Sequence, residues 1–131
     1  MTHTYSDAFG MNVDAIEAAI RPGYVVHAER RTGKTTALMH AIHKRHTGAA
    51  IVVCPSKQQA EMFASAYCDY VAHGARPVCL GPMELNALKG TDLPLYVDEY
   101  WSFSERAQQQ MRDYGIAGAV GTLPSITAIR A

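Results

Sequence analysis

The chain has 131 residues, 48% of them hydrophobic, which suits a single domain with one buried core. Twelve basic and twelve acidic side chains cancel, so no overall charge draws the whole chain to nucleic acid or to a membrane. No apolar run approaches the ~20 residues of a membrane span and the start lacks a secretory leader pattern. Cys54, Cys68 and Cys79 are odd in number and lack metal-ligand spacing, which reads as reduced thiols in a cytoplasmic protein.

Residues 1–10 are polar and read as loose or draped on the surface. Val13, Ile16 and Ile20 mark one face of a short helix, stopped by Arg21-Pro22-Gly23. A strand at Tyr24–Ala28 follows, then a polar loop, then a helix from about Lys34 to His46 ended by Thr47-Gly48. Lys44 and Arg45 suit the negative end of that helix and read as solvated. His40, His43 and His46 drift around its surface rather than converging on a metal.

Residues 49–54 are apolar throughout, which predicts a strand buried on both faces, with Cys54 acting as a small hydrophobe. A second helix from Lys57 to about Ala72 presents Met62, Phe63, Ala66, Tyr70 and Val71 as its apolar face, and Gly74 closes it. Residues 77–80 form a third, shorter strand, and Met83–Leu88 a short helix. The apolar run 93–97 ends in Asp98-Glu99. Ser102-x-x-Glu105 is a capping-box pattern for a helix running to about Tyr114, with Gly115 at its carboxyl cap. Residues 116–122 make a last apolar strand ending in the Thr122 hydroxyl. Strands alternating with helices predict an α/β three-layer sandwich around a mainly parallel, five-stranded sheet.

Three polar features then fall at strand carboxyl ends, on one rim of that sheet. The first is Ala28-Glu29-Arg30-Arg31-Thr32-Gly33-Lys34-Thr35, with Thr36 beyond it, between a strand and a helix. It reads as a phosphate-binding loop, in which successive backbone N–H groups and the helix N-terminus face the phosphates. Gly33 allows close approach, Lys34 reaches the terminal phosphates, and the Thr35 hydroxyl can ligate Mg²⁺. The second is Asp98-Glu99, where Asp98 would hold the metal and Glu99 would polarise an attacking water. Thr122 is the third. Trp101, two residues beyond the acidic pair, is the aromatic best placed to stack on a base, whereas Tyr24 reads as strand core.

With these motifs in place, residues 22–124 resemble the RecA-like ATPase core shared by superfamily one and two helicases and the large-terminase motors of tailed phages. Ala28 suits the helicase form of the loop, and Arg30 ahead of Thr32-Gly33-Lys34-Thr35 the terminase form. Val52-Val53-Cys54-Pro55-Ser56 is similar to the helicase segment that contacts a nucleic-acid backbone. Gly121-Thr122-Leu123-Pro124 resembles the coupling motif that senses the γ-phosphate. The resemblance implies a P-loop NTPase that binds ATP and Mg²⁺, with Glu99, Lys34, Thr122 and Arg30 in catalysis and Thr35 and Asp98 on the metal. It also implies a minimal, single-domain relative encoded by a phage or mobile element and acting in the host cytoplasm. Its partner would be DNA, a second copy, or a larger viral or host protein supplying an arginine. Arg106, Arg112 and Arg130 are the candidates for such donation in trans.

Two other readings compete. Residues 97–103 resemble the acidic-aromatic run of thymidine kinases, which implies a small nucleoside or nucleotide kinase. A nucleotide-dependent assembly module with little turnover is the other.

Overall fold

The apolar runs of the sequence become the strands of one sheet because each is flanked by a turn and is too short or too β-branched to prefer a helix. In the computed structural model, residues 5–29, 33–122 and 127–131 are described, with the side chains of 5–11 and 127 left aside. Helix α1 (Tyr5–Ala19) leads into β1 (Tyr24–Ala28), α2 (Lys34–His46), β2 (Ile51–Val53), α3 (Lys57–Tyr70) and β3 (Val78–Leu80). A 3-10 segment, Pro82–Gly90, precedes β4 (Leu95–Val97), and a second, Tyr100–Ser102, precedes α4 (Glu105–Tyr114), β5 (Ile116–Thr122) and β6 (Thr127–Arg130).

The strand order is β3-β2-β4-β5-β1-β6, parallel except for β6, which runs antiparallel to β1. The sheet is therefore α/β and mostly parallel, but it has six strands rather than the five expected. The segment Thr127–Arg130 has only one strongly apolar residue, Ile129, which is half-exposed on the edge, so periodicity could not announce it. The start of the chain also departs from expectation. Helix α1 begins at Tyr5 instead of after a loose stretch of ten residues.

Alternation along each strand divides the core into two halves. Val26, Ala28, Val52, Tyr96 and Val120 face a layer built from α1, α2 and α3. Val25, Ile51, Val53, Leu95, Val97 and Ala119 face α4 and the two 3-10 segments. Central strands buried on both faces thus appear in the sequence as unbroken apolar runs.

Three local expectations are corrected by packing. The buried stripe of α3 is Ala60, Phe63 and Tyr67, whereas Met62 and Tyr70 are largely exposed. Helix α4 is capped by Ser104, whose hydroxyl accepts from the Ala107 N–H, while the Ser102 hydroxyl turns back to donate to the Glu99 carbonyl. Arg45 is not simply solvated: it donates to the Ile20 and Glu17 carbonyls, satisfying the open end of α1, and Lys44 pairs with Glu17 at 3.1 Å.

The three histidines of α2 also serve packing, His43 standing edge-on to Tyr70. His40 stacks on Tyr70, and His46 shares a hydrogen bond with the Tyr96 hydroxyl at 2.8 Å. Cys54 is buried, Cys79 partly so and Cys68 exposed, all as free thiols. Burial pushes the Cys54 thiol far up and the Cys79 thiol up to about 11, so neither is a ready nucleophile. Among the described residues, no helix is long and apolar enough to cross a membrane.

Candidate functional site

Strands β1, β5 and β4 lie side by side, so their carboxyl ends place Ala28, Thr122 and Asp98 along one rim. Register carries this further, since Ala28 pairs with Thr122. Ala28 itself is fully buried in the core, which accounts for an alanine at the start of the loop. Its role is packing.

Gly33 occupies the position before α2 with a left-handed backbone (φ 90°), a conformation that a side chain would disfavour. Helix α2 therefore begins at Lys34 with no side-chain cap from Gly33, and its N-terminus lies at the rim. Lys34 is almost wholly buried (6% exposed). Its Nζ donates to the Glu29 carbonyl at 2.9 Å and lies 3.8 Å from Glu99 Oε2. The next residue, Thr35, donates its hydroxyl to Asp98 Oδ2 at 3.1 Å, joining two segments 63 residues apart in the chain.

The two acids are held differently. Asp98 extends the ladder of the sheet, its N–H bonded to the Val53 carbonyl at 2.9 Å. Burial, reinforced by the neighbouring Glu99 carboxylate, pushes the Asp98 carboxyl up to about 6, and the Thr35 hydroxyl and Lys34 pull against that rise. Glu99 has a left-handed backbone (φ 52°, ψ 57°), uncommon for a residue with a side chain and the kind of local strain that gathers at functional sites. The strained turn is held by the Ser102 N–H and hydroxyl, both donating to the Glu99 carbonyl. It aims the Glu99 carboxylate at Thr122, whose hydroxyl lies 2.9 Å from both carboxylate oxygens.

Lys34, Thr35, Asp98, Glu99 and Thr122 thus meet in one polar cluster. Thr36 lies in the first turn of α2 without a described contact to it, and Glu29 contributes its carbonyl. Arg30, Arg31, Thr32, Leu123 and Pro124 lie outside the described residues. Thr35 and Asp98 offer hard oxygen donors of the kind Mg²⁺ takes, and the Asp98 carboxylate, whose charge burial disfavours, would be stabilised by such a cation.

His27 was not anticipated, though a lone imidazole inside a buried apolar strand was visible as a break in pattern. It is fully buried on β1, opposite Gly121 in register. The Trp101 indole N–H donates to His27 Nε2, so that nitrogen is unprotonated, and the two ring planes are nearly parallel. A Cβ on Gly121 would lie 2.9 Å from Trp101 Cδ1 and 3.3 Å from His27 Cδ2. Gly121→Ala is therefore expected to lower stability by about 1–3 kcal/mol and shift indole fluorescence, as Trp101 is displaced. A variant with unchanged melting and emission would contradict this placement.

Tyr24 departs from the strand-core reading. It is only partly buried, with the Arg21 guanidinium 4.1 Å and the Arg130 guanidinium 5.5 Å from its ring centroid. It starts β1, at the edge away from the loop. Arg112 and Arg130 lie at that same far edge, beside the first residues of β1 and β5. Both therefore lie away from the rim that carries Lys34, Thr35 and Asp98.

Comparison with protein-family models, with curated proteins and with solved structures gives no match.

Proposed function

We propose that this chain is a Mg²⁺-dependent P-loop ATPase, a minimal relative of the helicase and terminase motors. The observation that carries the reading is the Thr35–Asp98 hydrogen bond, because it joins the loop to the acidic strand at one point. A phosphate loop without a nearby carboxylate has no place for a metal, and an acidic strand end without the loop has no phosphate to act on.

In this reading the helix start and Lys34 hold the β- and γ-phosphates, while Thr35 and Asp98 hold the metal. Bound Mg²⁺ would neutralise charge on the phosphate oxygens. Glu99 accepts a proton from the attacking water, and Thr122 keeps its carboxylate oriented. Lys34 faces the Glu99 carboxylate and donates to the Glu29 carbonyl in the nucleotide-free chain, so phosphate must compete with these two contacts. Basal turnover is then slow and rises with self-association, DNA or a larger partner that supplies an arginine, which is worth about 10³–10⁵ in rate. The test is phosphate release across protein concentration, with and without single- and double-stranded DNA. A dilute monomer turning over at tens per second unaided would contradict the dependence on a partner.

A nucleoside kinase remains the second reading because of one feature. A cavity of about 230 Å³ adjoins Thr35 and Asp98, walled by Gln59, Phe63 and Ala66. That is far more room than an attacking water needs. Transfer of label from γ-³²P-ATP to a nucleoside, instead of to water, would favour it over hydrolysis.

A further inference from the structure

The edge of the sheet opposite the phosphate loop carries a feature that nucleotide hydrolysis does not use. A cavity of about 390 Å³ opens there, lined by Pro22, Gly23, Ile116 and Ala131 together with Arg112 and Arg130. Arg21 is outside that lining but next to it in the chain, and it shares the Tyr24 ring with Arg130, their guanidinium groups 4.1 Å and 5.5 Å from the ring centroid. Hydrogen bonding from Arg130, with the charge of both arginines, holds the Tyr24 phenol below its ordinary range.

Among the described residues, none of these three guanidinium groups has a carboxylate within the 4.0 Å of an ion pair. Arg112 is instead oriented by neutral acceptors, the Tyr100 hydroxyl at 2.9 Å and Gln109 Oε1 at 2.8 Å. Three positive groups without an ion-pair partner among the described residues thus gather at one edge, in a chain whose twelve basic and twelve acidic side chains cancel as a whole. Guanidinium forks match phosphate oxygens in geometry and charge. The volume falls in the range of small-molecule sites, and Pro22 and Ile116 supply an apolar wall.

We propose that this edge is a second anion site, which takes the phosphate of an organic phosphate ester against the Arg21, Arg112 and Arg130 side chains. Such a phosphate comes either from a free nucleotide or from a nucleic-acid backbone. The site is separate from the phosphate loop. Strand β1 alone sets the two about 13 Å apart, from four residue steps of ~3.3 Å.

The test uses Lys34→Ala protein without Mg²⁺, so that the loop does not contribute and a failure here says nothing about the ATPase reading. The probes are AMP, followed by calorimetry, and fluorescein-labelled (dT)12, followed by anisotropy. Saturable binding of either is expected, weakened at least tenfold by Arg130→Glu or Arg21→Glu, both exposed positions, and unaffected by Arg106→Glu on α4. Arg112→Gln should act likewise, but it also removes the bond to Tyr100, so the exposed pair decides if that variant misfolds. Binding of (dT)12 should show a log–log salt slope of about −0.7, the value for one engaged phosphate of a single strand, and the slope should flatten in Arg130→Glu. Binding of the oligonucleotide with that slope identifies the backbone as the source, and binding of AMP alone identifies a free nucleotide. No saturation by either probe at millimolar concentration, or binding indifferent to Arg21 and Arg130, overturns the proposal.

Discussion

Glu99→Gln is expected to bind MgATP as the unaltered chain does and to hydrolyse it about 10²–10⁴-fold more slowly. The amide keeps an acceptor for the Thr122 hydroxyl, so the strained turn and the packing around it survive. What disappears is the negative charge that, in the proposed mechanism, accepts the proton of the attacking water. The proposed separation of roles rests on geometry: Asp98 is bonded to Thr35, and Glu99 is turned toward Thr122 by its left-handed backbone. Phosphate release under saturating MgATP checks this, with binding measured separately. Equal rates in variant and parent would remove Glu99 from the mechanism.

Lys34→Ala is expected to lose about ten- to a hundred-fold in ATP affinity, the equivalent of one charge-assisted hydrogen bond of about 1.5–3 kcal/mol. A loss of stability accompanies it, because this lysine is buried and its Nζ satisfies the Glu29 carbonyl beside Glu99. The substitution therefore removes apolar stem as well as charge. Lys34→Met separates the two effects. It keeps most of the stem, so its melting temperature should lie nearer the parent's while its ATP affinity falls with that of the alanine variant. Unchanged MgATP affinity in both variants would mean that the loop does not hold phosphate.

Much of this arrangement was legible in the sequence for a simple reason. Parallel strands buried on both faces leave continuous apolar runs, and the polar residues that end them mark one edge of the sheet. Val52-Val53 and Tyr96-Val97 carried that signal, as did the glycine and lysine that open α2. The antiparallel β6 was not legible, because an edge strand of four residues with polar neighbours has neither length nor alternation. The true stripe of α3 was missed for another reason: Met62 and Tyr70 are apolar yet exposed, and only tertiary packing separates them from Phe63 and Tyr67. Within the site, the identities of Lys34, Thr35, Asp98, Glu99 and Thr122 came from pattern. The Glu99 backbone strain, the His27–Trp101 contact and the burial of Lys34 came from three dimensions alone. The arginines show the same limit. Residues 21, 112 and 130 are far apart in sequence, and β5 and β6 flanking β1 bring them to one edge.

Calorimetric titration of ATP into the unaltered chain, with Mg²⁺ and again with excess chelator, tests the central claim most directly. The geometry of Lys34, Thr35 and Asp98 predicts saturable binding at one site with Mg²⁺ and much weaker binding once the metal is removed. No saturation up to millimolar ATP, or an affinity unmoved by the chelator, would contradict a metal-assisted phosphate site at this rim.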